Sequence, residues 1–321
     1  MRTFTCSHCG NPAHFENVTC VHCGAELGFL WPERELSTLE AAGERGLRCA
    51  NRTLADCNWL VGRADTLCAC CALTRTRPAD DDLTGLEEFR TAEAGKRRLL
   101  FELGELGLPV EGAHERAGGL AFELLSSKRE RVTTGHARGV ITLDLAESDP
   151  VHSEMMREQL GEPYRTVLGH FRHEIGHYYQ PLLVPEGSPR IEPMRALLGD
   201  ERADYGAALE RHYAQGPPAN WAERHVSAYA TMHPWEDWAE TFAHVLHIRD
   251  AMQTATAYGL ADADPGAPLR ALLADWLPLS IALNAINRGI GRPDLYPFVL
   301  SAPVVDKLAF VDEVIRAYTF A

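Results

Sequence analysis

Cysteine is missing from most of this chain. All nine cysteines fall between Cys6 and Cys71, and the remaining 250 residues have none. A disulfide framework spread through a secreted domain is not distributed in that way. A basic excess is missing too: 31 Lys and Arg stand against 45 Asp and Glu, a formal net charge of −14. Residues 1–77 carry eight Arg and eight acidic residues, so the whole deficit lies in 78–321. Binders of nucleic acid and anionic membranes carry a basic footprint, so the balance speaks against DNA, RNA and membrane surfaces as partners. No uninterrupted apolar run approaches the roughly 18 residues that a bilayer span requires. The opening Met1-Arg2-Thr3-Phe4-Thr5-Cys6 has no apolar stretch of the secretory kind. Clustered thiols without an export signal suit a reducing compartment, and a cytoplasmic protein is expected. What remains, 45% hydrophobic and 24% charged over 321 residues, is ordinary globular usage. It leaves room for two domains and excludes a disordered chain or a coiled-coil rod.

The cysteines that are present are patterned. Cys6-Ser-His-Cys9-Gly10 and Cys20-Val-His-Cys23-Gly24 make CxxC, ten residues, CxxC. Two residues between thiolates let both sulfurs of one turn reach a single Zn²⁺ at about 2.3 Å. The Gly after each second Cys suits the positive φ of a knuckle turn. Short strands around Phe4 and Phe15 are then expected to be held by metal more than by core. Cys68 and Cys71 form a further CxxC, and Cys49 and Cys57 complete a second set of four, leaving Cys70 over. Two structural zincs are expected, with His8 and His22 as exposed loop residues beside the first.

Past a linker at 78–85, apolar spacing predicts a helix over 86–106, and the β-branched alternation of 139–145 predicts a strand. Helices are expected over 150–160, from Pro163 to Tyr179 with Pro181 at or past its end, and over 194–213, 234–249, 268–288 and 303–320. The sum is a mostly helical domain with a small sheet.

One of these helices carries His173-Glu174-Ile175-Gly176-His177. Histidines four apart share a helical face and can share one Zn²⁺, while Glu174, turned about 100° away, can act as base toward an attacking water. The opposite stripe, Leu168, Phe171, Ile175, Tyr178 and Leu182, is apolar. A catalytic zinc needs a third ligand and an open fourth position. His233-Pro234-Trp235-Glu236-Asp237-Trp238-Ala239-Glu240 starts a helix with Pro in its first turn. Glu236 there can ligate, and Glu240, one turn on, can accept the N–H of a ligating His.

HExxH followed by ExxAE resembles the gluzincin metallopeptidases, and locally the anthrax-lethal-factor and MtfA type of site. A Tyr seven residues before the Glu ligand helps to stabilise the oxyanion in the lethal-factor site; that position here is Tyr229. The match favours Glu236 over Glu240 as ligand. The chain as a whole is similar to a bacterial family of zinc-binding metallopeptidases with an N-terminal zinc ribbon. Its matching stretches include the CxxCGN of 6–11, Cys57-Asn-Trp-Leu, 134–142, 162–179, Gly199-Asp-Glu-Arg-Ala-Asp-Tyr205 and 233–241. Cys70 stands outside that family's pattern.

The resemblance implies an α+β protein: a zinc ribbon over 1–77, with Cys6, Cys9, Cys20 and Cys23 on one Zn²⁺ and Cys49, Cys57, Cys68 and Cys71 on another. A mostly helical, gluzincin-like metallopeptidase domain over 86–321 follows. There His173, His177 and Glu236 hold a catalytic Zn²⁺, Glu174 is general base and then acid, and Tyr229 donates to the oxyanion. The expected partner is a peptide or protein substrate, with a protein partner through the ribbon. The strand at 139–145 either receives substrate by strand addition or is an ordinary core strand. Two other readings compete: a zinc amidohydrolase acting on a non-protein amide, and a non-catalytic ribbon protein whose HExxH zinc is structural. Glu174 argues against the second of these, since a structural site has no need of it.

Overall fold

The computed structural model describes residues 1–128, 130–149 and 166–319. The helix expected over 150–160, and the start of the one expected from Pro163, lie outside them. The protein is α+β, and the described residues divide into two compact units. The first runs from Met1 to residue 149 and takes in 166–168; the second runs from Gly169 onward.

In the first unit three small antiparallel pairs carry the cysteines: β1 (Phe4–Thr5) with β2 (Pro12–Ala13), β3 (Leu27–Leu30) with β4 (Glu35–Thr38), and β5 (Leu47–Arg48) with β6 (Leu60–Val61). Gly10 and Gly24 have φ of +73° and +74°, the knuckle geometry their positions require. These strands also have an aromatic core. Phe4, Phe15, Phe29 and Trp59 are buried together with Phe101, which comes from helix α1 (Leu83–Glu105). Phe15 and Phe29 centroids lie 4.9 Å apart, Phe29 and Trp59 5.0 Å, and Phe4 and Phe101 5.8 Å. Burying five such rings is worth on the order of 10 kcal/mol before chain entropy is charged against it.

A four-stranded sheet completes the unit in the order β7-β8-β10-β9, from β7 (Thr74–Thr76), β8 (Ala121–Leu125), β9 (Gly135–Ala137) and β10 (Val140–Asp144). β10 pairs in parallel with β8 along its length and antiparallel with β9 over Val140–Thr142. Both of its edges are taken there, so it cannot accept a substrate strand; it is a core strand, with Ile141 and Leu143 fully buried.

The second unit is helical: α2 (Val167–Leu183), α3 (Ile191–Leu198), α4 (Tyr205–Gln215), α5 (Pro234–Ala257), α6 (Leu269–Gly289) and α7 (Ala302–Thr319). Helix α5 packs against α3, α6 and α7. Several expected boundaries change, and the helix expected over 234–249 runs on to Ala257. Pro181 lies inside α2, which runs on to Leu183. The single helix expected over 194–213 is two, broken at Gly199, whose φ is +100°. A Cβ on Gly199 would lie 2.9 Å from Pro234 Cγ, so the break is pressed against the start of α5. The acidic and basic residues of 200–204 are spent on this turn: Glu201 pairs with Arg195 at 2.6 Å, Asp200 with Arg202 at 2.8 Å, and Asp204 caps α4 through Ala207 N–H at 3.0 Å.

By length and composition α6 is apolar enough to cross a bilayer, although Arg270, Asp275 and Arg288 interrupt its apolar residues. In this unit it packs on α5 and α7 and buries Leu269, Leu272, Leu273 and Trp276.

His244 on α5 is buried, with Nδ1 2.8 Å from the Tyr296 hydroxyl. Burial first, and the nearby Arg172 charge after it, depress the imidazole to about 4, against the opposing pull of Glu240. The unfolded chain, with an ordinary imidazole near 6.5, therefore binds the extra proton first as pH falls. Stability conferred by this group is fully present above pH 6.5 and declines toward pH 4. About 2 kcal/mol is lost by pH 5. Urea titrations at pH 7 and pH 5 measure the loss, and His244→Gln flattens it; an equal loss in that variant assigns the acid sensitivity elsewhere.

Candidate metal centre

The two sets of cysteines converge as their spacing predicts. Within each set all four sulfurs lie within 4.8 Å of one another. The Cys6–Cys23, Cys9–Cys20 and Cys57–Cys68 sulfurs are 3.8, 3.7 and 3.6 Å apart. A tetrahedron with zinc–sulfur bonds of about 2.3 Å has edges of about 3.8 Å, so both cages have the size of a Zn²⁺. Backbone and side-chain hydrogen bonds from Asn11 hold the Cys9 thiol down to about 6. The wide Cys49–Cys57 interval is closed by the β5–β6 hairpin, with Cys49 N–H donating to Trp59 O at 3.3 Å. The Cys68 and Asn51 amides in turn point at Cys49 Sγ at 3.3 and 3.4 Å. Cys70 is fully buried beside the second set without joining it.

The third cluster is in the second unit. Gly176 lets α2 and α5 approach closely: a Cβ on it would lie 3.1 Å from Ala239 Cα and 3.2 Å from Phe242 Cβ. Trp238 Nε1 donates to Gly176 O at 2.9 Å and fixes the crossing. His233 caps α5, its Nδ1 accepting from Trp235 N–H at 3.1 Å, and Pro234 opens the first turn. This places Glu236 opposite the HExxH face. Its Oε2 lies 3.0 Å from His173 Nε2 and 3.4 Å from His177 Nε2. Metal–ligand bonds of about 2.05 Å give tetrahedral edges of about 3.3 Å, so these three atoms fit the corners around one zinc. On its far side, His173 Nδ1 is 2.6 Å from Glu240 Oε1. With the Nδ1 proton given to Glu240, the Nε2 lone pair is free for a metal.

The electrostatics agree with a cation site. Burial alone would depress His173, but hydrogen bonds to Glu236 and Glu240 carry its imidazole well above the ordinary value. Burial would raise the Glu236 carboxyl, yet His173 and His177 hold it below the usual carboxylate range. The neighbouring acid, Asp237, is turned elsewhere, to Lys307 at 2.5 Å.

Glu174 is buried beside His173, close enough to act on its charge. The Tyr229 ring centroid lies 6.0 Å from that of His173, and burial followed by the Glu236 charge raises its hydroxyl pKa, so it remains a donor. Tyr205 was not singled out from the sequence: its hydroxyl donates to Glu236 Oε1 at 2.9 Å. The one signal for it is that it ends the Gly199–Tyr205 stretch of the resemblance. Trp235 stands against His177, ring centroids 4.8 Å apart.

Residues 85–314 match a family described as "Putative zinc-binding metallo-peptidase", and residues 3–82 match a zinc-ribbon domain. The chain belongs to this metallopeptidase family. Two relatives of the family member, an uncharacterized protein of Mycobacterium bovis and one of Mycobacterium tuberculosis, are each 51% identical over 327 residues, covering 98% of this chain and 95% of theirs. No solved structure matches it. The two family matches meet between 82 and 85, at the start of α1, whereas the compact first unit continues through the four-stranded sheet.

Proposed function

We propose that this family member is a zinc-dependent hydrolase that cleaves peptide bonds with a gluzincin-like site. The observation that supports it most is the meeting of His173 Nε2, His177 Nε2 and Glu236 Oε2 at one point, with Glu174 beside them and Glu240 behind His173. Zinc held there supplies Lewis acidity, making a water nucleophilic near neutral pH and drawing charge from an amide carbonyl. Glu174 takes the proton of the attacking water as its oxygen bonds to the carbonyl carbon. It then delivers that proton to the leaving nitrogen as the C–N bond breaks. Tyr229 donates its hydroxyl to the carbonyl oxygen as charge gathers there. Glu240 holds His173 in the tautomer that ligates.

The two cysteine cages are structural zinc sites in this reading, giving three zincs per chain. A reducing cytoplasm suits eight thiolates kept for metal, and the ribbon, without a basic surplus, suits a protein partner better than a nucleic acid.

The test is a broad peptide library presented to the zinc-replete protein, with chelation abolishing cleavage and added zinc restoring it. A metal-replete protein that cuts none of the library overturns the reading. Tyr229→Phe is expected to lower kcat about 10²–10³-fold with KM little changed. Parallel kinetics on a library hit measure it, and an unchanged kcat removes Tyr229 from the reaction.

A further inference from the structure

The Tyr205 hydroxyl touches Glu236 at the oxygen that does not face the histidines. Oε1 receives Tyr205 at 2.9 Å, while Oε2 faces His173 and His177. An ionised carboxylate only accepts, so the Tyr205 proton goes to Glu236.

The chain is built to hold Tyr205 there. It is the first residue of α4, directly behind the cap Asp204. His233, whose Nδ1 is occupied by Trp235 N–H, donates from Nε2 to Ala203 O at 3.0 Å. The residue that starts the Glu236 helix therefore also grips the turn that carries Tyr205. The Tyr205 and His233 rings meet edge to face at 5.2 Å, and Gly199 seats the same turn against Pro234.

We propose that Tyr205 is the positioning residue of this site: it keeps Glu236 a one-oxygen ligand. This rests on the zinc-site reading above. A carboxylate free to turn can offer both oxygens to a metal and fill the corner that substrate needs. A donor fixed on Oε1 engages the second oxygen and leaves that corner open.

Zinc affinity of Tyr205→Phe tests this without activity. Competition between the full-length protein and a chromogenic chelator is expected to show the third zinc bound about 10-fold more weakly, the scale of a lost supporting contact. Tyr229→Phe leaves that affinity unchanged. Cobalt in place of zinc is expected to show weaker visible absorption in Tyr205→Phe, as the carboxylate supplies both oxygens and coordination rises to five. Circular dichroism and retention of the two ribbon metals check folding, and Tyr205→His, which restores a donor, is expected to recover part of the affinity. Wild-type zinc affinity and cobalt spectrum in Tyr205→Phe overturn the proposal alone. A wild-type protein that holds no metal beyond its cysteine sites overturns it together with the reading beneath it. Absence of peptide cleavage, with the affinity difference intact, overturns only the choice of reaction.

Discussion

Glu174→Gln is expected to keep every zinc and the wild-type melting temperature while losing peptide hydrolysis by about 10³-fold or more. The substitution is nearly isosteric, and Glu174 is not one of the three converging ligands. What it removes is the capacity to accept a proton. General acid–base catalysis contributes about 10²–10⁴-fold. The same carboxyl serves twice here, on the attacking water and on the leaving nitrogen, so the upper half of that range applies. Metal analysis and single-turnover cleavage on one preparation measure both halves of the expectation. Residual activity within 10-fold of wild type would falsify the assignment of Glu174 as the proton carrier. Loss of the third zinc would instead show it holding the ligand geometry, and the two outcomes separate chemistry from support.

The parts of this site that were legible in the sequence are those fixed by local periodicity. His173 and His177 share a face because a helix repeats every 3.6 residues. Glu236 and Glu240 share another for the same reason, and Pro234 announces where that helix begins. The knuckles were legible because a CxxC with a following Gly is a local turn. What was not legible depends on chain segments meeting at a distance. Tyr205 reaches Glu236 only because Gly199 breaks what periodicity reads as one helix over 194–213, and nothing local says that the break faces Pro234. Phe101 completes an aromatic core with Phe4, Phe15 and Phe29. Its spacing within α1 says that it is buried, but not against what. The β10 alternation predicts a strand and its faces; its neighbours on both edges follow from topology.

Cys57→Ser is expected to lose one zinc and to lower the melting temperature of the first unit by about 10 °C, whereas Cys70→Ser keeps every zinc. The second cage is buried at all four cysteines, while the first has Cys23 exposed and Cys9 half-buried. Helix α1 lies against the second cage with three charged side chains. Glu93 and Lys96 are fully buried 2.6 Å apart, and Glu93 Oε2 is 3.9 Å from Cys71 Sγ. Arg97 is buried beside them and donates to Ala55 O at 3.1 Å. Burial would strip the Lys96 proton, but the Glu93 carboxylate beside it keeps it charged. A zinc with four thiolates there would carry a charge of −2, with Lys96 and Arg97 as its counter-charges. Removing that zinc leaves two buried cations against one carboxylate and a set of neutral thiols. An uncompensated buried charge costs about 3–5 kcal/mol. In a unit of this size each kcal/mol moves the midpoint by about 2–4 °C, which gives the expected shift. The Cys70 variant is the control for burial alone, since its sulfur stands outside the cage. Zinc counting and calorimetry on the two variants decide the matter. Equal zinc content in both places the second metal elsewhere, and an unshifted Cys57→Ser midpoint means the aromatic core alone holds the unit.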